Sequence, residues 1–258
     1  MSKFSTPKTI LITGATGGIG EALALLYAAP GVTLILHGRN EAKLAQVVAG
    51  ATAKGARVLP QSLDVRDIPA LMAWVGAACE AEPVDLVVAC AGVNANIGVD
   101  GEGEAWTDID ALLDINVKAA MATINAALPS MRRRGAGQLV LMSSLAAYFG
   151  LPLTPSYSAS KAAVKAYAEA LRGWLAPEGI RVNVVMPGYV DSKMSREMPG
   201  PKPFMWTPEK AARVIARRLA SNWPRISFPF PLSFGCWGLS ALRPTVSTWI
   251  LQRLHYGG

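Results

Sequence analysis

Short apolar stretches recur along this chain, separated by longer helix-like stretches. "TILIT" (9–13), "VTLILHG" (32–38), "ARVLPQSLDV" (56–65), "VDLVVACAG" (84–92), "GQLVLMSS" (137–144) and "IRVNVVMPG" (180–188) read as strands. Several are apolar without alternation, as expected of strands covered on both faces of a parallel sheet. Residues 18–29, 41–54, 67–81, 107–134, 156–176 and 207–220 are rich in Ala, Leu, Glu and Lys and predict helices. Alternation of this kind predicts an α/β fold, a doubly wound parallel sheet. Right-handed crossovers would place helices on both of its faces. "RISF" (225–228) is available as a final strand, which makes about seven.

No repeat, low-complexity tract or Ser/Gly linker divides the 258 residues. The pattern therefore predicts a body over 1–222 and an unusual extension of the same domain over 223–258. Hydrophobic residues make up 51% of the chain and charged residues 17%, enough for a sizeable core and too apolar for disorder. Cys79, Cys90 and Cys236 are scattered without metal-ligand spacing and read as free thiols in a reducing, cytoplasmic setting. The N-terminal "MSKFSTPK" lacks the apolar run of a signal peptide.

Charge changes the picture at one end. Residues 201–258 carry eight basic residues and one acid, so the whole net charge of +7 lies in the last quarter. A nucleic-acid protein spreads basic residues over a reading surface. A neutral body with a basic, tryptophan-rich end argues against nucleic acid.

Candidate chemistry begins directly after the first strand with "TGATGGIG", Thr13 to Gly20, in which Gly14, Gly18 and Gly20 are spaced G-x3-G-x-G. Missing side chains let the backbone turn sharply and approach a pyrophosphate, and the following helix offers unpaired N–H groups. Its place between strand and helix favours dinucleotide binding over a plain tight turn. The second strand ends in Gly38 and Arg39, where an NAD-selective site wants a carboxylate. Arginine can hold a 2′-phosphate with paired hydrogen bonds, so NADP(H) is expected over NAD(H). Farther along, "SYSASKAAV" puts Tyr157 and Lys161 four positions apart, on one helix face. A nearby ammonium favours the phenolate and brings a tyrosine toward working pH.

With these motifs in this order the chain resembles the short-chain dehydrogenase/reductase family, in its branch of roughly 250 residues, over about residues 8–215. The resemblance implies a Rossmann-like fold. Thr13, Gly14, Thr16, Gly18, Ile19 and Gly20 match its cofactor turn, and Asp64 with Val65 matches the pair facing the adenine. "ACAG" (89–92), which includes Ala91 and Gly92, stands where the family usually has Asn-Asn-Ala-Gly. Pro187, Gly188 and Val190 match the segment that lies against the nicotinamide. The resemblance also implies the catalytic set. Tyr157 exchanges a proton with a carbonyl or alcohol oxygen, Ser144 hydrogen-bonds that oxygen, and Lys161 holds the nicotinamide ribose. Asn116 fixes a water that relays protons to the lysine.

The sequence departs from the family at Ala89-Cys90, where Cys90 reads as a small buried hydrophobe. It departs more at the tail. Residues 226–242 are uncharged between Arg225 and Arg243, but too short and too Pro-broken to span a membrane, and 246–254 could form an amphipathic helix. The tail is expected either to cover the substrate pocket or a dimer contact, or to make a peripheral membrane contact through 223–254. Trp223, Trp237 and Trp249 with flanking arginines suit the membrane alternative. A homo-oligomer, dimer or tetramer, is expected, in the cytoplasm or at a membrane.

Substrate-facing segments are expected at 93–106, 145–155 and 189–206. Leu145, Tyr148, Phe149, Leu151, Pro152 and Leu153 in the second, and Tyr189, Met194, Met198, Phe204, Met205 and Trp206 in the third, point to an apolar ketone, aldehyde or alcohol. The alternatives are an NADP-sensing binding protein without turnover, or an epimerase/dehydratase-type relative.

Overall fold

Seven parallel strands lie in the order β3-β2-β1-β4-β5-β6-β7 in a computed structural model. The residues described are 6–98, 101–198 and 200–254. Positions 1–5, 99–100, 199 and 255–258 of the segments anticipated from sequence lie outside them. The strands are β1 (Thr9–Thr13), β2 (Thr33–His37), β3 (Arg57–Gln61), β4 (Leu86–Ala89), β5 (Gly137–Met142), β6 (Ile180–Pro187) and β7 (Arg225–Phe228). Every residue of β1, β4 and β5 is buried, which explains why these runs show no alternation. β3 is half exposed and carries Pro60, tolerated because it is an edge strand.

Alternate residues of each strand feed two cores. Leu11, Val87, Leu139 and Val182 pack on one face against α3 (Ile68–Ala81), α5 (Ala119–Arg134) and α6 (Pro155–Leu175). Ile12, Leu36, Val88 and Val140 pack on the other against α1 (Gly18–Tyr27), α2 (Glu41–Ala53) and α8 (Pro208–Ala220). The chain leaves β1 toward β2 and later returns beside it as β4, so strand order reverses there and a crevice opens at the carboxyl ends.

The helix expected over 107–134 is not continuous. α4 (Trp106–Leu113) joins α5 through a π-helical turn, Asp114–Lys118, whose wider pitch carries Asn116 inward. The combined stretch, Trp106–Arg134, has the length and hydropathy of a membrane-crossing helix, but more than half of its most apolar window is buried against the fold. A short helix α7 (Lys193–Glu197) follows β6.

Beyond β7, helices α9 (Leu232–Ala241) and α10 (Pro244–Arg253) return over the carboxyl ends of the strands. Gly188 makes this approach possible, since a Cβ there would stand 3.1 Å from the Leu232 side chain and 3.0 Å from Pro229.

Candidate active site

The crevice at the reversal point is a cavity of about 930 Å³. Its floor begins at the glycine turn. Gly14 adopts a φ of +69°, and a Cβ on it would stand 2.7 Å from the Ala91 Cα, so only glycine lets the β1 and β4 loops close on each other. No side chain caps the start of α1 at Gly17, and Gly18 and Ile19 line the cavity with their amides at its positive end. His37, nearly fully buried, braces this turn. Its Nδ1 accepts from Gly14 N (3.3 Å) and its Nε2–H donates to Leu63 O (2.9 Å), which fixes the neutral tautomer. Burial holds its pKa below the usual histidine value. Nothing in the local sequence marks His37, because its partners lie 23 and 26 positions away.

Arg39 stands exposed on the rim at the end of β2. Lys43, which the sequence reading missed, shares that rim and pairs with Glu21 at 3.2 Å. Its signal was available: Asn40 caps α2 by accepting from Lys43 N (2.9 Å), which fixes Lys43 in the first turn facing the cavity.

Three anticipated site residues do not line the cavity. Thr13 is buried, where its Oγ1 accepts from Cys90 N (3.1 Å) and Ala91 N (3.4 Å) and ties β1 to β4. The Asp64 carboxylate turns instead to Arg66, accepting from its amide (3.0 Å) and its Nε (2.9 Å), and the neighbouring guanidinium lowers its pKa. Val65 does line the cavity. Asn116 is buried behind it, accepting from Val93 N (2.8 Å) and donating to Val93 O (3.0 Å) and Ser160 Oγ (3.1 Å).

Tyr157, Lys161 and Ser144 all line the cavity. α6 presents Tyr157 and Lys161 one turn apart, with Lys161 Nζ 5.5 Å from the Tyr157 ring centroid. Of the three N–H groups of Lys161, one goes to Met142 O (3.1 Å). Burial pushes the ammonium down to about 8. Ser144 Oγ accepts from Ala146 N (3.2 Å) and contacts Pro187 O at 3.4 Å. The Cys90 thiol lies beside Lys161, and burial raises it to about 11, so it stays neutral there.

The far wall is apolar. Of the second anticipated segment, Leu145 and Leu151 line the cavity, whereas Tyr148, Phe149 and Pro152 face a separate groove of about 480 Å³. Leu153 lines neither, and of the first segment only Val93 among the described residues reaches the wall. Tyr189, Met194, Met198 and Phe204 contribute from the third segment, but Met205 is exposed and Trp206 stacks on Phe228 at 4.9 Å. The remaining wall comes from the tail. Leu232, Gly235, Cys236 and Leu239 of α9, with Ile250 and Leu251 of α10, roof the cavity.

A family model described as short chain dehydrogenase matches residues 8–202. The chain belongs to the short-chain dehydrogenase family. It is 36% identical over 227 residues to an uncharacterized oxidoreductase of Myxococcus xanthus, covering 88% of this chain and 89% of that one. A short-chain dehydrogenase from Sphingobium yanoikuyae in complex with NADPH superposes with a TM-score of 0.80 at 22% identity, covering 93% and 95% of the two chains. One from Mycobacterium paratuberculosis bound to NAD gives a TM-score of 0.78 at 27% identity, covering 90% and 100%. The protein is thus a short-chain dehydrogenase/reductase, an oxidoreductase acting on CH–OH groups.

The family implies a nicotinamide dinucleotide, and the residues present fit one. The floor is bare of side chains at Gly14 and at Gly92, where a Cβ would stand 3.2 Å from Asn116 Oδ1 and 3.4 Å from Lys161 Nζ. Lys161 has N–H groups to give beyond Met142 O, and a volume near 930 Å³ is at the upper end of small-molecule sites.

Proposed function

We propose that this short-chain dehydrogenase is an NADP(H)-dependent carbonyl reductase or alcohol dehydrogenase whose substrate is an apolar ketone, aldehyde or alcohol. The observation that carries this reading is one cavity lined together by the glycine turn, by Ser144, Tyr157 and Lys161, and by an apolar wall. The bound nicotinamide supplies or takes up the hydride. The glycine turn and the amides of α1 hold the pyrophosphate. Val65, Ala91, Gly92, Pro187, Gly188 and Val190 flank the rest of the dinucleotide. Asp64 acts from outside the cavity by holding its loop to Arg66.

Tyr157 gives its phenolic proton to the carbonyl oxygen during reduction, and takes one from the alcohol in the reverse direction. Lys161 stabilises the phenolate left behind and donates to the ribose through its remaining N–H groups. Ser144 Oγ–H donates to the same substrate oxygen as charge develops there. Asn116 acts one layer out, holding the Val93 backbone and Ser160 on α6 in register beneath Lys161. Preference for NADP(H) rests on Arg39 and Lys43 at the rim, where Gly38, Arg39 and Asn40 offer no carboxylate. The same reading treats 223–258 as an extension of the catalytic domain over 1–222 and takes the working form to be a homo-oligomer, dimer or tetramer, in the cytoplasm.

The test follows NADPH absorbance with a panel of apolar carbonyls for wild type and Tyr157→Phe. Turnover should fall about 10²- to 10⁴-fold in the variant, with NADPH binding unchanged. Full activity in Tyr157→Phe would remove the tyrosine from the mechanism. NADPH binding by wild type with no turnover across the panel would favour the sensing alternative.

A further inference from the structure

Of the two helices that roof the cavity, α9 is apolar on both sides, and α10 exposes Val246 and Trp249 among Thr245, Thr248, Gln252 and Arg253. Leu232, Gly235, Cys236 and Leu239 form an i, i+3, i+4, i+7 stripe that faces inward. Ser247 of α10 is fully buried, and its Oγ–H donates to Leu239 O (2.7 Å), which locks the hairpin in this orientation. The opposite faces should then be polar. Instead they and their connections expose Phe230 (80%), Phe234 (63%), Trp237 (49%), Leu242 (44%), Val246 (42%) and Trp249 (56%).

We propose that this outer face of α9–α10 is a docking surface for an anionic lipid bilayer. Charge selects the partner. Residues 229–254 hold two arginines, Arg243 and Arg253, and no acid, and the chain's excess of seven positive charges lies within 201–258. Arg253 stacks on Trp249 at 5.3 Å, placing a guanidinium beside an indole as an interfacial anchor does. A second copy is a poor match: a twofold contact through this face would bring four arginines together with no carboxylate from either hairpin to pair them. Anionic headgroups supply that missing charge.

Phe204 and Leu254 both line the cavity and are more than half exposed, so part of its rim is apolar. Vesicle binding needs neither cofactor nor turnover, so this proposal can fail while the catalytic reading stands, and the reverse.

The full chain is floated with vesicles of phosphatidylcholine alone and of phosphatidylcholine with phosphatidylserine. Wild type should rise with the phosphatidylserine vesicles, and less so as salt is added. Phe234→Ser with Trp237→Ser should weaken partitioning at least about tenfold, and Arg243→Gln with Arg253→Gln about tenfold. Neither pair should change the far-UV circular dichroism, the melting temperature or NADPH binding. Val246→Ser with Trp249→Ser reads the same face from α10, should the first pair fail to fold. The proposal falls if wild type does not float, if it floats equally with both vesicle types, or if the folded variants float like wild type. It also falls if the face instead forms a dimer, or captures an acidic protein, in a wild type that ignores vesicles.

Discussion

Two nitrogen bases sit under the cavity, and burial pushes both toward their neutral forms. For Lys161, about 8 in the fold against 10.5 in the open chain corresponds to a cost of about 3 kcal/mol. The folded state binds fewer protons than the unfolded one between those values, so stability rises with pH across that window and the full cost applies below it. Lys161→Met in the cofactor-free protein should therefore gain stability over wild type near neutral pH, with the gain shrinking from pH 8 to 10.5, as urea melts at several pH values would register. Cys79 and Cys236, raised to about 11 by burial, oppose this trend equally in both proteins and cancel in the difference, whereas Cys90 loses the lowering influence of Lys161 in the variant. At the rim, Arg39→Ala should weaken NADPH about tenfold or more while leaving NADH nearly unchanged. Equal losses in a fluorescence titration would refute the 2′-phosphate role. Tyr157, Lys161, Ser144 and the glycines were legible because their spacing is local. His37 was not, because its partners lie on separate elements, and Lys43 was passed over although the Asn40 cap that places it is local.

Among elements, the catalytic helix α6 depends on a distant residue. Thr154 offers it no side-chain cap. Glu104 replaces that cap from the loop before α4, accepting from Ser156 N (3.0 Å) and Ser156 Oγ (2.7 Å) one position ahead of Tyr157. A carboxylate at the positive end of a helix adds to the hydrogen bonds. Glu104→Ala should cost about 1 kcal/mol, seen as a fall in melting temperature of about 3 °C, while Glu104→Gln keeps most of the stability. An unchanged melting temperature in Glu104→Ala would deny the latch. Nothing near Glu104 in the sequence announces this. The π-helical turn was equally hidden, since one wide turn leaves the apolar pattern of 107–134 intact. Strands were placed well because burial on both faces leaves an apolar run, but the runs 56–65 and 84–92 both overshot, the second shrinking to Leu86–Ala89. Of the first, only Arg57–Gln61 pairs, and the rest turns away to form the loop that holds Asp64 and Val65.

At the scale of the molecule, a parallel sheet with a site at its strand ends followed from strand–helix alternation, whereas the strand order and its reversal at β1 are visible only in the structure. The direction of the tail did not follow either. Apolar residues occur on more than one side of its helices, so periodicity could not tell which of them line the pocket, and the structure turns Leu232, Cys236, Leu239, Ile250 and Leu251 inward while leaving Phe234, Trp237 and Trp249 exposed. The cavity joins the two ends of the chain: Gly14 and Gly18 floor it, while α9 and α10 close it more than two hundred positions later. Ribosomes deliver a chain from its N-terminus, and domains fold as they emerge. A growing polypeptide therefore presents the phosphate cradle, and then Tyr157 and Lys161, as an open trough. Enclosure comes only once α9 and α10 have emerged, long after the cradle they cover.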